Sequence, residues 1–381
     1  MIDFELSDGD KMLVNEAREQ ALLARNYARY YDHNENEVPP RELKEAAGRP
    51  DPFMQRLEMG EQISGKAIVE ALLHMEFFRG DVVPLRVPQI SLGNYVLESV
   101  GSPEQLERWG KARIAIGITE PGAGSDPARV TTNAVYDAER DEWVINGEKI
   151  FITYAEDADA VMLFARAKDA TGDLGLTTFL VEKGTPGFTV GPQVKKMGIR
   201  AEDTAGLVFQ DCRLPAFNHV KANFKTVFEV FNFSRPIVAA FGLGTSRALL
   251  DFTIEKLAEV GVTPDYRGGM GNQSALVERL LDLEAEYEAA WLSVVRAKWL
   301  EDKTGGVKVE ASTAKAMGGM AARNITQGCL KLLGNCSLTE ADLAEKWFRD
   351  ARISDIYEGP GEVQRLIIAR HLLGYGQKDL R

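Results

Sequence analysis

Thiols and imidazoles are scarce, with three cysteines and four histidines in 381 residues. Cys212, Cys329 and Cys336 make no CxxC pair and no Cys/His ligand spacing. The odd thiol count argues against a disulfide framework and for a reducing compartment, and so few scattered ligands argue against a zinc site. Long uncharged apolar runs are absent too; no stretch approaches the roughly 20 residues that a membrane span requires. The N-terminus MIDFELSDGDK is acidic where a signal peptide would be basic and then apolar, so a cytoplasmic location is expected. Positive charge is in deficit, 45 Lys and Arg against 57 Asp and Glu, and the formal charge of −12 opposes nonspecific contact with nucleic acid or an anionic membrane. An anionic ligand in a local basic pocket is still compatible with that balance. Two nucleotide fingerprints are also missing. GxGxxG would need glycine at 127, where Pro127 stands, and no GxxxxGK[ST] occurs.

What is present is enough apolar residue, 45% of the chain, to fill two or three cores. Ser7 and Asp10 have capping-box spacing, and Leu13, Ala17, Ala21, Ala24 and Ala28 then recur every three or four residues, which predicts an opening amphipathic helix. After a Pro-, Gly- and charge-rich loop at 39–60, helix-like patterns resume at 67–78 and 103–109, and helical reading ends near Lys111. From Ile114 the segments become short, β-branched and turn-bounded, and Asn146-Gly147 reads as a hairpin turn because both residues tolerate positive φ. After Pro215 helical spacing returns, as in Ala314, Met317, Ala321, Ile325 and Cys329, and in the long stretch 275–298. Helices, then strands, then helices predict an α+β multidomain chain rather than an alternating βαβ sheet. The expected units are an N-terminal helical domain over 1–113, an all-β domain over 114–218 and a C-terminal helical domain over 219–381. No internal repeat or low-complexity tract interrupts them.

Two motifs could carry chemistry. Ile118-Thr119-Glu120-Pro121-Gly122-Ala123-Gly124-Ser125-Asp126 sits where helix gives way to strand, and its glycines and hydroxyls suit close approach of a phosphate or a flavin edge. A tight structural turn is the bland reading. The second motif, Tyr357-Glu358-Gly359-Pro360-Gly361, places a carboxylate before a bend and a helix. A buried carboxylate there would have a raised pKa and could act as a general base, whereas an arbitrary glutamate before a helix is more often solvated.

Taken together and in order, ITEPGAGSD, WVINGEKIFIT, LVEKGTPGFTVG with KMGIRAEDTAGLVFQDCRLP, FSRPIVAA and RDARISDIYEGPGEVQRLIIAR resemble the acyl-CoA dehydrogenase family over nearly the whole chain. The resemblance implies an N-terminal helical domain, a middle β-barrel and a C-terminal four-helix bundle. It implies FAD as cofactor, contacted by Ile116, Ile118, Thr119, Gly124, Ser125, Phe151, Ile152, Thr153, Pro360 and Glu362. Glu358 would be the catalytic base, and Ser125, Asn232, Arg235, Tyr357, Gly359 and Arg370 would meet the acyl-CoA substrate. By the same likeness Glu358 N–H would help bind the thioester carbonyl, an electron-transfer flavoprotein would be the acceptor, and the chain would form a homo- or hetero-oligomer in fatty-acid metabolism. Pro88 and Leu92 would line the pocket floor by position.

Departures from the family pattern are local. Phe151 stands where Trp is usual, and Tyr154 where a small polar residue is. The Arg-x-x-Phe-Gly and Gln-x-x-Gly-Gly-Asn-Gly segments, by which one subunit holds the adenosine side of its neighbour's FAD, are replaced at 260–272 and 331–337. That loss resembles the mixed two-chain members found in actinobacterial sterol breakdown. Two other readings therefore stand beside an active dehydrogenase: a non-catalytic partner subunit, and a same-fold flavin oxidase or monooxygenase.

Overall fold

The computed structural model describes residues 4–34, 66–81, 91–221, 224–267, 273–376 and 379. The loop read at 39–60 and the pocket-floor position Pro88 lie outside them. In chain order the elements are α1 (Asp8–Arg25), α2 (Ala28–His33), α3 (Lys66–Gly80), α4 (Leu92–Val100), α5 (Pro103–Trp109), β1 (Ile114–Gly117), β2 (Asn133–Asp137), β3 (Glu142–Thr153) and β4 (Ala160–Asp169). Then follow β5 (Gly172–Glu182), β6 (Phe188–Gln193), β7 (Thr204–Pro215), β8 (His219–Val220), α6 (Phe224–Glu259), α7 (Ala275–Thr304), α8 (Lys308–Leu333), α9 (Ala344–Ala351) and α10 (Gly361–Leu373). They gather into two compact units, one of Met1–Pro88, Met197–Ala201 and Asn232–Arg381, the other of Gln89–Lys196 and Glu202–Phe231.

In the helical unit, α1 starts where the capping box predicts: Asp10 N–H donates to Ser7 Oγ at 3.1 Å and Ser7 N–H donates to the Asp10 carboxylate at 3.1 Å. Leu13, Ala17 and Ala21 then pack on Val69, Leu73 and Phe77 of α3. The two helices touch closely enough that a Cβ at Gly80 would lie 2.3 Å from the Ala21 carbonyl oxygen. The main core joins α3, α6, α7, α8 and α9 through Leu243, Leu249, Leu283, Val294, Ile325 and Trp347, among others. Small residues let α8 approach its neighbours; a side chain at Gly318 would strike Ala239 of α6, and one at Gly328 would strike Leu283 of α7. The stretch Glu229–Glu259 of α6 has the length and mean hydropathy, 1.4, of a membrane span. Its most apolar window is 72% buried inside the protein, which identifies it as a core helix.

The sheet unit pairs its strands in the order β6-β7-β3-β2-β4-β5-β8, with β1 added in parallel to β4. The expected barrel is corrected here to an open sheet. Closure would need a ladder between β6 and β8, the two ends of the path, and β8 spans only His219–Val220. Trp143, Ile145, Phe179, Leu207 and Phe209 fill one core of this unit. Leu97, Trp109, Ile114, Met162, Phe164 and Leu180 fill another.

Asn146-Gly147 is not a hairpin turn; β3 runs straight through it, and the β2–β3 connection falls at 138–141, with Asp141 at φ 55°. The pair forms a bulge opposite β7, between the Ile145 and Gly147 register positions. Gly147 (φ 150°) is required because a Cβ would meet Thr132 Oγ1 at 2.5 Å. Asn146 instead uses its side chain, accepting from Asp211 N–H at 2.8 Å and donating to the Asp211 carboxylate at 3.2 Å.

Candidate active site

In the sheet unit the chain leaves β1 at Gly117 and folds the 118–126 loop back on itself, Glu120 and Ala123 exchanging backbone hydrogen bonds at 3.1 Å. What fixes the loop is a buried ion pair. The Glu120 carboxylate accepts from Lys149 Nζ at 2.7 Å, from Thr131 N–H and Oγ at 2.7 Å each, and from Thr132 N–H at 3.0 Å and Oγ at 2.6 Å. Lys149 Nζ also donates to the Ile118 carbonyl at 3.1 Å. Burial opposes ionisation of Glu120, but Lys149, Thr132 and Thr131 together hold its carboxyl at about 2. Burial draws the Lys149 ammonium down to about 8 against the pull of Glu120, so both groups are charged at neutral pH.

With Glu120 anchored inward, Gly122, Gly124 and Ser125 are left on the surface, and Ile116, Ile118 and Thr119 are half-buried. A Cβ at Gly122 or Gly124 would meet no protein atom within 4 Å. Neither glycine has the left-handed backbone that demands glycine, so no steric need of the chain itself explains them; they fit a backbone that a ligand approaches closely. Downstream, the β3–β7 register shifts between Lys149 and Ile152, and Phe151 is forced to φ 57° with 61% of its surface exposed. Such backbone costs about 1–3 kcal/mol and presents the ring to solvent, as a flat ligand would need. Ile152 is buried, and Thr153 pairs with Thr204. Tyr154 (φ 62°) is held by its N–H to Asp203 O at 3.1 Å and by the Arg113 guanidinium 5.2 Å over its ring. Open glycines beside an exposed, strained aromatic suit a bound flavin.

In the helical unit, Glu358 (φ 54°) and Gly359 (φ 88°) both take left-handed backbone before α10. Gln364 clamps that bend, its Nε2 donating to the Glu358 carbonyl at 3.1 Å and the Gly359 carbonyl at 2.9 Å. Pro360 is the N-cap of α10, and Glu362 is exposed in its first turn. Ser234 of α6 donates to Glu358 Oε2 at 2.5 Å. Next to it Arg235, 4% exposed, donates to Asn232 Oδ1 at 2.9 Å. Tyr357 lies edge-on to Phe241, ring centroids 6.4 Å apart, and Arg370 lies in the last turn of α10. Glu358 as a residue keeps some solvent access, while its carboxyl is set deep. Burial, the largest influence, raises that carboxyl above the ordinary carboxylate range, against the Ser234 hydrogen bond and the charges of Arg235 and Lys315.

Both segments lie inside regions matched by family models. The acyl-CoA dehydrogenase middle domain matches residues 115–212, and the acyl-CoA dehydrogenase C-terminal domain matches residues 224–373. A mitochondrial short-chain specific acyl-CoA dehydrogenase from Mus musculus is 35% identical over 286 residues, covering 72% of this chain and 67% of the mouse protein. The chain belongs to the acyl-CoA dehydrogenase family. Butyryl-CoA dehydrogenase from Megasphaera elsdenii shares the fold with a TM-score of 0.83 and 27% identity, over 98% of this chain and 100% of that one. A Mycobacterium smegmatis glutaryl-CoA dehydrogenase, solved in complex with FADH2, has the same fold at a TM-score of 0.82 and 24% identity, over 98% of this chain and 96% of that one. The acyl-CoA dehydrogenase fold thus comprises the helical and sheet parts seen here, with a helical C-terminal part.

Glu120, Lys149, Ser234, Lys315 and Gln364 were not singled out in the sequence. For Lys149 the signal was strand alternation, since Trp143, Ile145 and Lys149 share the inward parity of β3. For Lys315 it was helical spacing, since Ala311, Ala314, Gly318 and Ala322 surround it on the buried face of α8.

Proposed function

We propose that this chain catalyses α,β-dehydrogenation of an acyl-CoA thioester to a trans-2-enoyl-CoA, with Glu358 removing the α-proton. The observation that carries the reading is the state of Glu358: a carboxylate on strained backbone, raised by burial, with one oxygen held and the other available. Its cofactor is FAD. FAD supplies the acceptor for the hydride lost from the β-carbon, and the 119–125 loop, Phe151 and Thr153 would hold it. Ser234 fixes Oε2, which leaves Oε1, without a hydrogen-bond partner among the described residues, to take the proton. Glu358 N–H likewise donates to no carbonyl among the described residues, which suits an oxyanion donor to the thioester carbonyl. Arg235, Asn232, Tyr357 and Arg370 would orient the CoA thioester, and an electron-transferring flavoprotein would take the electrons onward.

Purified protein should reduce an artificial dye only when given an acyl-CoA thioester. At about 100 times its dissociation constant that thioester should stabilise the fold by roughly 2.7 kcal/mol, while the free acid does nothing. Equal stabilisation by the free acid would favour a same-fold oxidase or monooxygenase instead. A second reading rests on the altered 331–337 segment: α8 ends at Leu333, and Gly334–Leu338 forms a 3-10 turn that leaves Leu338 77% exposed. In that reading a different partner chain completes the adenosine side of the FAD site. Stoichiometric FAD in homo-oligomeric protein expressed alone would reject it, and flavin-poor protein that gains FAD on co-expression with a second chain would support it.

A further inference from the structure

Four lysines of the described residues are buried: Lys149, Lys298, Lys315 and Lys346. Three have close anionic partners. Lys149 has Glu120 at 2.7 Å, Lys298 has Glu70 at 2.8 Å and Glu301 at 3.0 Å, and Lys346 has Asp81 and Asp350 at 2.6 Å each. Lys315, with no exposed surface, has no hydrogen-bond partner for its Nζ among the described residues. A buried ammonium left unpaired is costly, so it is retained for something other than packing.

The face of α8 that carries it says what it serves. One turn on, a Cβ at Gly319 would lie 2.9 Å from both Asp355 Cα and Oδ1; two turns on, Arg323 Nη1 lies 3.7 Å from Asp355 Oδ2. Positions 315, 319 and 323 fall on one helical stripe, and that stripe is applied to the turn that leads into Glu358. We infer that Lys315 is a positioning residue for the reaction, its unpaired buried charge supplying the field that keeps the Glu358 carboxylate ionised and ready to accept a proton. Contact would defeat this role: a Lys–Glu ion pair like that of Lys149 would pin the carboxylate and lower its basicity. The other charged groups acting on Lys315 are Asp355, Arg235 of α6 and Glu362 of α10; burial, opposed chiefly by Asp355 and Glu358, brings its ammonium down to about 8, still protonated at neutral pH.

The inference rests on Glu358 being the base, and its test is separable from that reading. Melting temperatures of the full-length, flavin-loaded wild type, Lys315→Met, Glu358→Gln and the double variant form a cycle that needs no turnover. Ionising Glu358 in its buried site costs stability as pH rises past the ordinary carboxylate range, so Glu358→Gln should raise the melting temperature at pH 7. That gain should be larger in the Lys315→Met background, where the opposing field is gone, and the difference should vanish as pH falls and Glu358 protonates. In turnover, Lys315→Met should move the low-pH limb upward by about one pH unit, and Lys315→Arg should restore it. Should Lys315→Met fail to fold, Lys315→Gln serves in the same cycle. Additive melting effects at every pH with an unmoved limb would overturn the inference. If Glu358→Gln retained turnover while the melting cycle showed coupling, the base assignment would fall and the Lys315–Glu358 coupling would stand.

Discussion

Glu120 and Glu358 both carry deep-set carboxyl groups influenced by a buried lysine, and they end in opposite states. Glu120 meets every donor within reach, two threonine hydroxyls, two backbone N–H groups and an ammonium, and is held at about 2. Glu358 meets one hydroxyl, its lysine stands off without a hydrogen bond, and its carboxyl is raised. Burial acts in the same direction on both. What separates them is how many donors the surroundings deliver, and under the proposed function one carboxylate serves structure and the other proton transfer.

Substituting the two lysines alike should expose the contrast most strongly. Lys149→Met leaves Glu120 as a buried carboxylate without its cation and should cost about 3–5 kcal/mol of stability by denaturant titration, whereas Lys315→Met, which removes an unpaired charge, should cost nothing or add stability. Equal losses at the two sites would erase the comparison. Acid titration should divide the two carboxylates next. Glu120 is depressed, so its contribution is fully present above the ordinary carboxylate range and is lost as pH falls from about 4.5 toward 2. Glu120→Ala should therefore flatten acid unfolding across that window, and an unchanged acid midpoint would mean the ion pair is not a stabilising anchor. The smallest effect is expected from Ser234→Ala, which removes the one hydrogen bond to the Glu358 carboxylate among the described residues. Its pKa should rise further, shifting the low-pH limb of turnover upward by at most about one unit. A downward shift would show that Ser234 does not favour the ionised form.

The same division governs how much was legible in the sequence. Helix starts were readable because Ser7 and Asp10 act within three residues of each other, and Ser102 with Gln105 caps α5 in the same way. The succession of helical, strand and helical segments was readable from periodicity. Features decided across the sheet were not. Asn146-Gly147 has the composition of a hairpin turn, but Thr132 pressing on Gly147 makes it a bulge, and pairing partners far along the chain leave the sheet open. Glu358 was reached through the motif that contains it. Its partners Ser234 and Lys315 lie 124 and 43 positions away on α6 and α8, where a serine and a lysine look like ordinary helical residues. Local rules name the candidate base, and tertiary packing sets its pKa.

The most direct test replaces Glu358 with glutamine, which keeps the size of the side chain and can still accept from Ser234 but cannot take a proton. Thioester-dependent flavin reduction should be measured on wild type and Glu358→Gln with matched flavin content and thioester binding. The account predicts intact binding and a rate lower by at least about 10²-fold. Reduction by Glu358→Gln at near the wild-type rate would place the base elsewhere and contradict it.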